Sequence, residues 1–156
     1  MYRRAFDGAM KHPGMGSSHP KTAFFAMSLA KLLIKSRRAE DAIELLTLAW
    51  NARKECLGTW HTDTSEAVNN MCVAFSVLGR FDDVNALCTA RRMGAVAISQ
   101  ATHQIRARAV HSSIALTSDI AMTYLVRAGR AEDAVGLLRP SWEAAVETFG
   151  PTHSIT

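Results

Sequence analysis

Between Asp83 and Asp119 the chain has no acidic residue, while Arg91, Arg92, Arg106 and Arg108 lie inside that window. Outside it fourteen basic residues balance fourteen acidic ones, so this one stretch carries the whole formal net charge of +4. A basic segment over 91–108 suits an acidic protein surface or nucleic acid. The same stretch lacks any aromatic residue between Phe81 and Tyr124, which removes the platform on which single-stranded bases stack. Four arginines alone give nucleic-acid binding with a Kd of roughly 10⁻⁴ M near physiological salt. That disfavours nucleic acid as a partner, and arginines snorkelling over Ala-rich neighbours account for the segment equally well.

Other absences exclude whole classes of function. Cysteine is sparse: Cys56, Cys72 and Cys88 are odd in number and never spaced C-x-x-C, which argues against a disulfide framework and for a reducing, cytoplasmic setting. All three are expected as inert thiols on apolar helix faces. No run of eighteen apolar residues occurs, the best candidate at 24–34 being broken by Ser28 and Lys31, so no membrane span is expected. The first residues lack an apolar signal region. G-x-S-x-G, a phosphate-binding loop and H-E-x-x-H are all missing, and no strand-like alternation of useful length appears. The expectation is a chain that is not an enzyme and needs no cofactor.

What the chain does have is repetition. Arg38-Ala39-Glu40-Asp41-Ala42 returns as Arg130-Ala131-Glu132-Asp133-Ala134, and twelve of the 24 positions from Arg38 to His61 are identical from Arg130 to His153. A repeat of that length means copies of one supersecondary unit that must stack to bury their apolar faces. His19, His61, His111 and His153 set the register. The spacing is 42 residues from His19 to His61 and from His111 to His153, and 50 between His61 and His111. Each unit holds two segments with apolar residues at helical spacing, such as Phe25, Leu29, Leu32 and Leu33 followed by Ala42, Leu45, Leu46 and Ala49. Gly79-Arg80 and Gly129-Arg130 mark turns where glycine takes the left-handed conformation that ends a helix, and Arg37-Arg38 fills this place in the first unit. Acidic pairs then open the second helix, where the helix dipole favours them. The histidines are expected to cap turns rather than share a metal ion, because successive units lie about 10 Å apart, far beyond ligand bonds near 2 Å.

A 42-residue helix pair bounded by Gly-x-x-His, with Gly-Arg-(Ala/Phe)-(Glu/Asp)-Asp-(Ala/Val) at its centre and Asn69-Asn70 in a first helix, resembles the tetratricopeptide repeat of kinesin light chains. Similar arrays follow the nucleotide-switch module of signalling ATPases. The resemblance implies an all-α, right-handed α-solenoid of antiparallel helix pairs, whose first helices line a concave groove that binds peptides or protein surfaces. The register divides the chain into a partial repeat at 1–18, repeats at 19–60, 61–110 and 111–152, and the start of a further repeat at 153–156. The middle repeat carries eight extra residues, expected as a longer second helix or an added turn interrupted near Gly94. With no polar capping helix at either end, the face formed by Val135, Leu138, Trp142 and Val146 is expected to stay open and to support self-association or stacking within a larger array. Trp50 and Trp142 are expected as wedges between units.

The resemblance also places the groove. Positions eight and twelve residues after each boundary histidine are Met27 and Lys31, Asn69 and Val73, Asp119 and Thr123, and one turn further lie Lys35, Val77 and Arg127. Asn69, with Asn70 beside it, is the expected contact to a ligand backbone, since an amide side chain both donates and accepts. Lys31, Lys35 and Arg127 are expected to hold acidic side chains. Met27, Val73 and Asp119 depart from the paired Lys and Asn of tetratricopeptide domains that clamp a C-terminal carboxylate.

Overall fold

Histidine, proline and alanine decide how the first complete helix pair forms. In the computed structural model, which describes residues 1–101, 119 and 122–149, His19 accepts a hydrogen bond from the Lys21 backbone N–H through Nδ1 at 3.1 Å, and Pro20 starts the helix that follows. That side-chain acceptor satisfies one of the donors a helix start leaves open, and proline there forfeits nothing because its missing N–H has no partner in the first turn. Helix α2 (Pro20–Lys35) then turns Ala23, Ala26, Met27, Leu29, Ala30 and Leu33 inward. Before it comes α1 (Tyr2–Lys11), and after it α3 (Ala39–Leu57), α4 (Thr62–Val77), α5 (Phe81–Ala101) and α6 (Ala131–Phe149), with residues 122–127 also helical. No strand occurs among the described residues.

The chain falls into two compact units, Met1–Arg80 and Phe81–Thr156. In the first, α2 packs on α1 and α3, α3 packs on α4, and α2 also meets α4. Alanine dominates the contact between α2 and α3: Ala23, Ala26, Ala30, Ala42 and Ala49 are all 0% exposed. Side chains this small let the helix axes approach closely, so each buried residue is surrounded by backbone as well as by side chains. Leu46 and Met27 fill the remaining volume. In the second unit α5 and α6 pack together, with Val84, Cys88, Leu125 and Ala134 buried.

Three turns share one hydrogen-bond pattern. Arg38 N–H donates to Leu33 C=O at 2.8 Å while Arg37 N–H reaches Ile34 C=O; Arg80 and Gly79 repeat this on Phe75 and Ser76, and Arg130 and Gly129 on Leu125 and Val126. The pattern satisfies orphan carbonyls at a helix end and needs a left-handed residue at its centre. Gly79 and Gly129 supply it at φ 72° and 75°, and Arg37 does the same at φ 60°. His61 caps α4 as His19 caps α2, its Nδ1 accepting from Asp63 N–H at 3.2 Å.

Several expectations are corrected. Helix α5 runs through Gly94 without a break as far as Ala101, because a glycine inside a helix costs only about 1 kcal/mol against alanine. Cys72 and Cys88 are buried, but Cys56, in the last turn of α3, is exposed. Trp142 is 55% exposed, whereas its counterpart Trp50 is half-buried with Lys54 Nζ 5.0 Å from its ring centre. No described helix is long and apolar enough to cross a membrane.

Candidate protein-interaction surface

The polarity of the helices builds a cleft in the first unit. Thr64 Oγ1 donates to Gly58 C=O at 2.8 Å where α3 ends and α4 begins, and Arg80 Nη1 meets Glu40 Oε1 at 3.6 Å where α4 ends and α3 begins. Helix α4 therefore runs antiparallel to α3, and α2 and α4 run the same way on either side of it. Between their first turns lies a cavity of about 150 Å³, lined by Pro20 and Phe24 of α2, by Ala52, Arg53, Cys56 and Leu57 of α3, and by Asp63 of α4. Phe24 and Leu57 remain 54% and 45% exposed, so an apolar surface is presented rather than sealed.

An ion-pair cluster adjoins this cleft through Arg53. Glu66 on α4 receives Lys31 Nζ from α2 on Oε1, and Arg53 Nη1 from α3 at 3.1 Å on Oε2. Arg53, 11% exposed, also donates to the Asp63 carbonyl. One carboxylate thus ties three helices. Burial pushes the Glu66 carboxyl up, but the hydrogen bonds from Lys31 and Arg53 outweigh it and hold the group below its ordinary value.

The residues expected in the groove fare differently. Lys31 is occupied by Glu66. Lys35 is exposed in the last turn of α2, with no ion pair among the described residues. Asn69 is 8% exposed, so little of its amide faces solvent. The amide of Asn70, half-buried, donates back to the Glu66 carbonyl at 2.8 Å. Met27 is buried at 2%, and Val77 is 49% exposed. In the second unit Thr123 is exposed and its hydroxyl donates to Asp119 C=O at 2.9 Å, and Arg127 is exposed.

Of the expected basic patch, Arg91 is only 7% exposed and so offers little charge at the surface. Arg92 lies on α5, and Arg106 and Arg108 fall outside the described residues, as do His111 and His153. A separate basic residue is engaged at the start of α6: Arg130 Nη2 meets Asp82 at 3.0 Å, its Nε donates to Asp133, and its guanidinium stands 5.5 Å from the Phe81 ring centre.

Phe24 and Arg53, which line the cleft, and Glu66, which pairs with Arg53, are residues that the register of eight and twelve overlooks. Phe24 and Glu66 each lie five residues after a boundary histidine, and positions five, eight and twelve share one helix face. That spacing was available in the sequence. Arg53 carried no comparable signal, because only the antiparallel pairing of α3 and α4 brings the end of one helix to the start of the other.

No protein-family model and no curated protein matches the chain. Among solved structures, the crystal structure of BtubC (BKLC) from P. vanneervenii is similar over 97% of this chain and 74% of that chain, at 16% sequence identity and a TM-score of 0.45.

Proposed function

We propose that the chain is a non-catalytic scaffold, a right-handed solenoid of tetratricopeptide-type helix pairs that holds a peptide or protein partner against the exposed face of its first helices. The observation that carries this reading is the identity of the joints. Three helix ends share one backbone hydrogen-bond pattern and two boundary histidines make the same cap, as expected of copies of one unit. Between two first helices the cleft leaves Phe24 and Leu57 exposed beside Arg53 and Asp63, an apolar floor with a few polar groups that fix orientation, and Lys35 lies exposed at the far end of α2. Asn69, Asn70, Thr123 and Arg127 belong to the proposed groove by register, with Phe24 and Lys35 the strongest contacts by exposure.

The test is selection of displayed peptides against the full chain, followed by anisotropy titrations of the recovered sequences. Phe24→Ala and Lys35→Glu are expected to weaken binding at least tenfold with unchanged helical circular dichroism. Peptides that bind these variants as they bind the parent would defeat the groove reading. A second reading, a segment of a larger repeat array such as those of signalling ATPases, is favoured by the exposed Val135 and Trp142 on α6.

A further inference from the structure

The histidines among the described residues all use one nitrogen in the same way. His12, His19 and His61 each turn Nδ1 onto the backbone N–H two residues ahead, at 3.2 Å on Gly14, 3.1 Å on Lys21 and 3.2 Å on Asp63. A backbone N–H can only donate, so each Nδ1 carries a lone pair and the ring proton sits on Nε2. Two of these bonds start helices. His19 is the N-cap of α2 and His61 the N-cap of α4. The cavity between those helices is lined by Pro20 and Phe24, just inside the first cap, and by Asp63, just inside the second.

We infer that His19 and His61 form an acid-sensitive latch, which holds the first turns of α2 and α4 while the rings are neutral and loosens the cleft between them when the rings gain a second proton. The chemistry of the bond decides this. An imidazolium donates from both nitrogens and accepts from neither, so protonation removes the cap and turns one N–H against another. It also adds positive charge at the positive end of a helix dipole. Water reaches both rings, His19 being half-buried and His61 exposed. Breaking a cap frees Nδ1 to take up a proton, so opening these turns binds protons. Stability therefore falls as pH falls through the ordinary range of imidazole, near about 6.5.

The two caps differ in what faces them. At His61, Asp63 Oδ2 stands 3.9 Å from Nδ1, and α3 brings Arg53, which donates to the Asp63 carbonyl. The Asp63 carboxylate gives an imidazolium a partner and offsets part of the lost bond. At His19, Lys21 follows on α2, α1 ends in Lys11, and α3 brings the Cys56 thiol, which donates to the Ser18 carbonyl at 3.7 Å. No carboxylate pairs with His19 among the described residues, so His19 is the more acid-sensitive of the two.

The test is urea melts of the full chain at about pH 7.5 and about pH 5, on the parent, His19→Asn, His61→Asn and the double variant, because asparagine offers a side-chain acceptor at either pH. Between the two conditions the parent is expected to lose about fivefold more of its folded-to-unfolded ratio than His19→Asn does. The difference from His61→Asn should be smaller, and the double variant should lose least. Imidazole nitrogen-15 spectra of the parent near neutral pH need no variant: both rings are expected as Nε2–H tautomers, and an Nδ1–H tautomer at either would overturn the inference. The consequence for binding rests on the groove reading above. A peptide selected against the full chain should dissociate several-fold faster near pH 5 from the parent than from the double variant. If no peptide is recovered, the groove reading fails, and the melts still decide the latch. Equal release from both proteins, or melts in which parent and double variant lose stability in parallel, would overturn it.

Discussion

Replacing Arg37 by glycine should stabilise the protein, although it removes a charged side chain. Arg37 sits at φ 60° at the centre of the turn after α2, the place held by Gly79 and Gly129 in the other two turns. Its side chain is exposed and makes no hydrogen bond or ion pair among the described residues. A residue with a Cβ in the left-handed region costs about 1–2 kcal/mol, and glycine relieves that at an entropic cost of about 0.5–1 kcal/mol from a freer unfolded chain. The balance is a gain of about 0.5–1 kcal/mol, or a rise of about 1–4 °C in Tm for a chain of this size. The mirror experiment is Gly79→Ala. A Cβ built there meets nothing within 4 Å, so only the backbone conformation is penalised and the loss should be of the same size. Urea and thermal melts followed by circular dichroism measure both. An Arg37→Gly protein no more stable than the parent, alongside a destabilised Gly79→Ala, would refute the claim that the three turns are equivalent and that conformation sets their cost.

Three further outcomes are expected. Glu66→Gln should destabilise by about 0.5–1 kcal/mol, a value discounted because the ion pairs are part-exposed. Since the native Glu66 carboxyl titrates below its ordinary value of 4.5, its contribution is complete above that pH and fades as pH falls through the lowered native value. The gap between parent and variant should then be constant near neutrality and close only in acid, as urea melts across that range would show. His61→Ala should cost about 1 kcal/mol by removing the acceptor for the Asp63 N–H, and His61→Asn should restore most of it, measured in the same melts. Leu46→Ala, at a position 0% exposed, should cost about 2–4 kcal/mol through lost burial and an unfilled cavity, several times the effect of Val135→Ala on the exposed face of α6.

Much of the local structure was legible because it depends on near neighbours in the chain. The histidine caps, the acidic first turns, the helical spacing of alanine and leucine and the glycine turns each need only a few consecutive residues, and the repeat supplies the same arrangement more than once. Even Arg37 in the place of a glycine could be read from the register. The expected break at Gly94 failed for the converse reason: a single glycine has too small a penalty to outweigh the helical preference on either side of it. Cys56 also escaped, because its spacing matched an apolar face while the end of α3 leaves that face partly uncovered.

The sequence by itself determined the all-helical class and where the described helices turn, since these follow from periodicity and from backbone conformations that particular residues favour or forbid. Tertiary structure alone decided which chemically similar positions differ. Lys31 and Lys35 lie one turn apart, yet only Lys31 meets Glu66; Trp50 and Trp142 hold equivalent places, yet only Trp142 stands open; Asn69, a plausible contact by type, lies almost wholly inside. Exposure and ion pairing depend on what another helix brings to the same point in space, and that helix lies tens of residues away in the chain, where no local pattern records it.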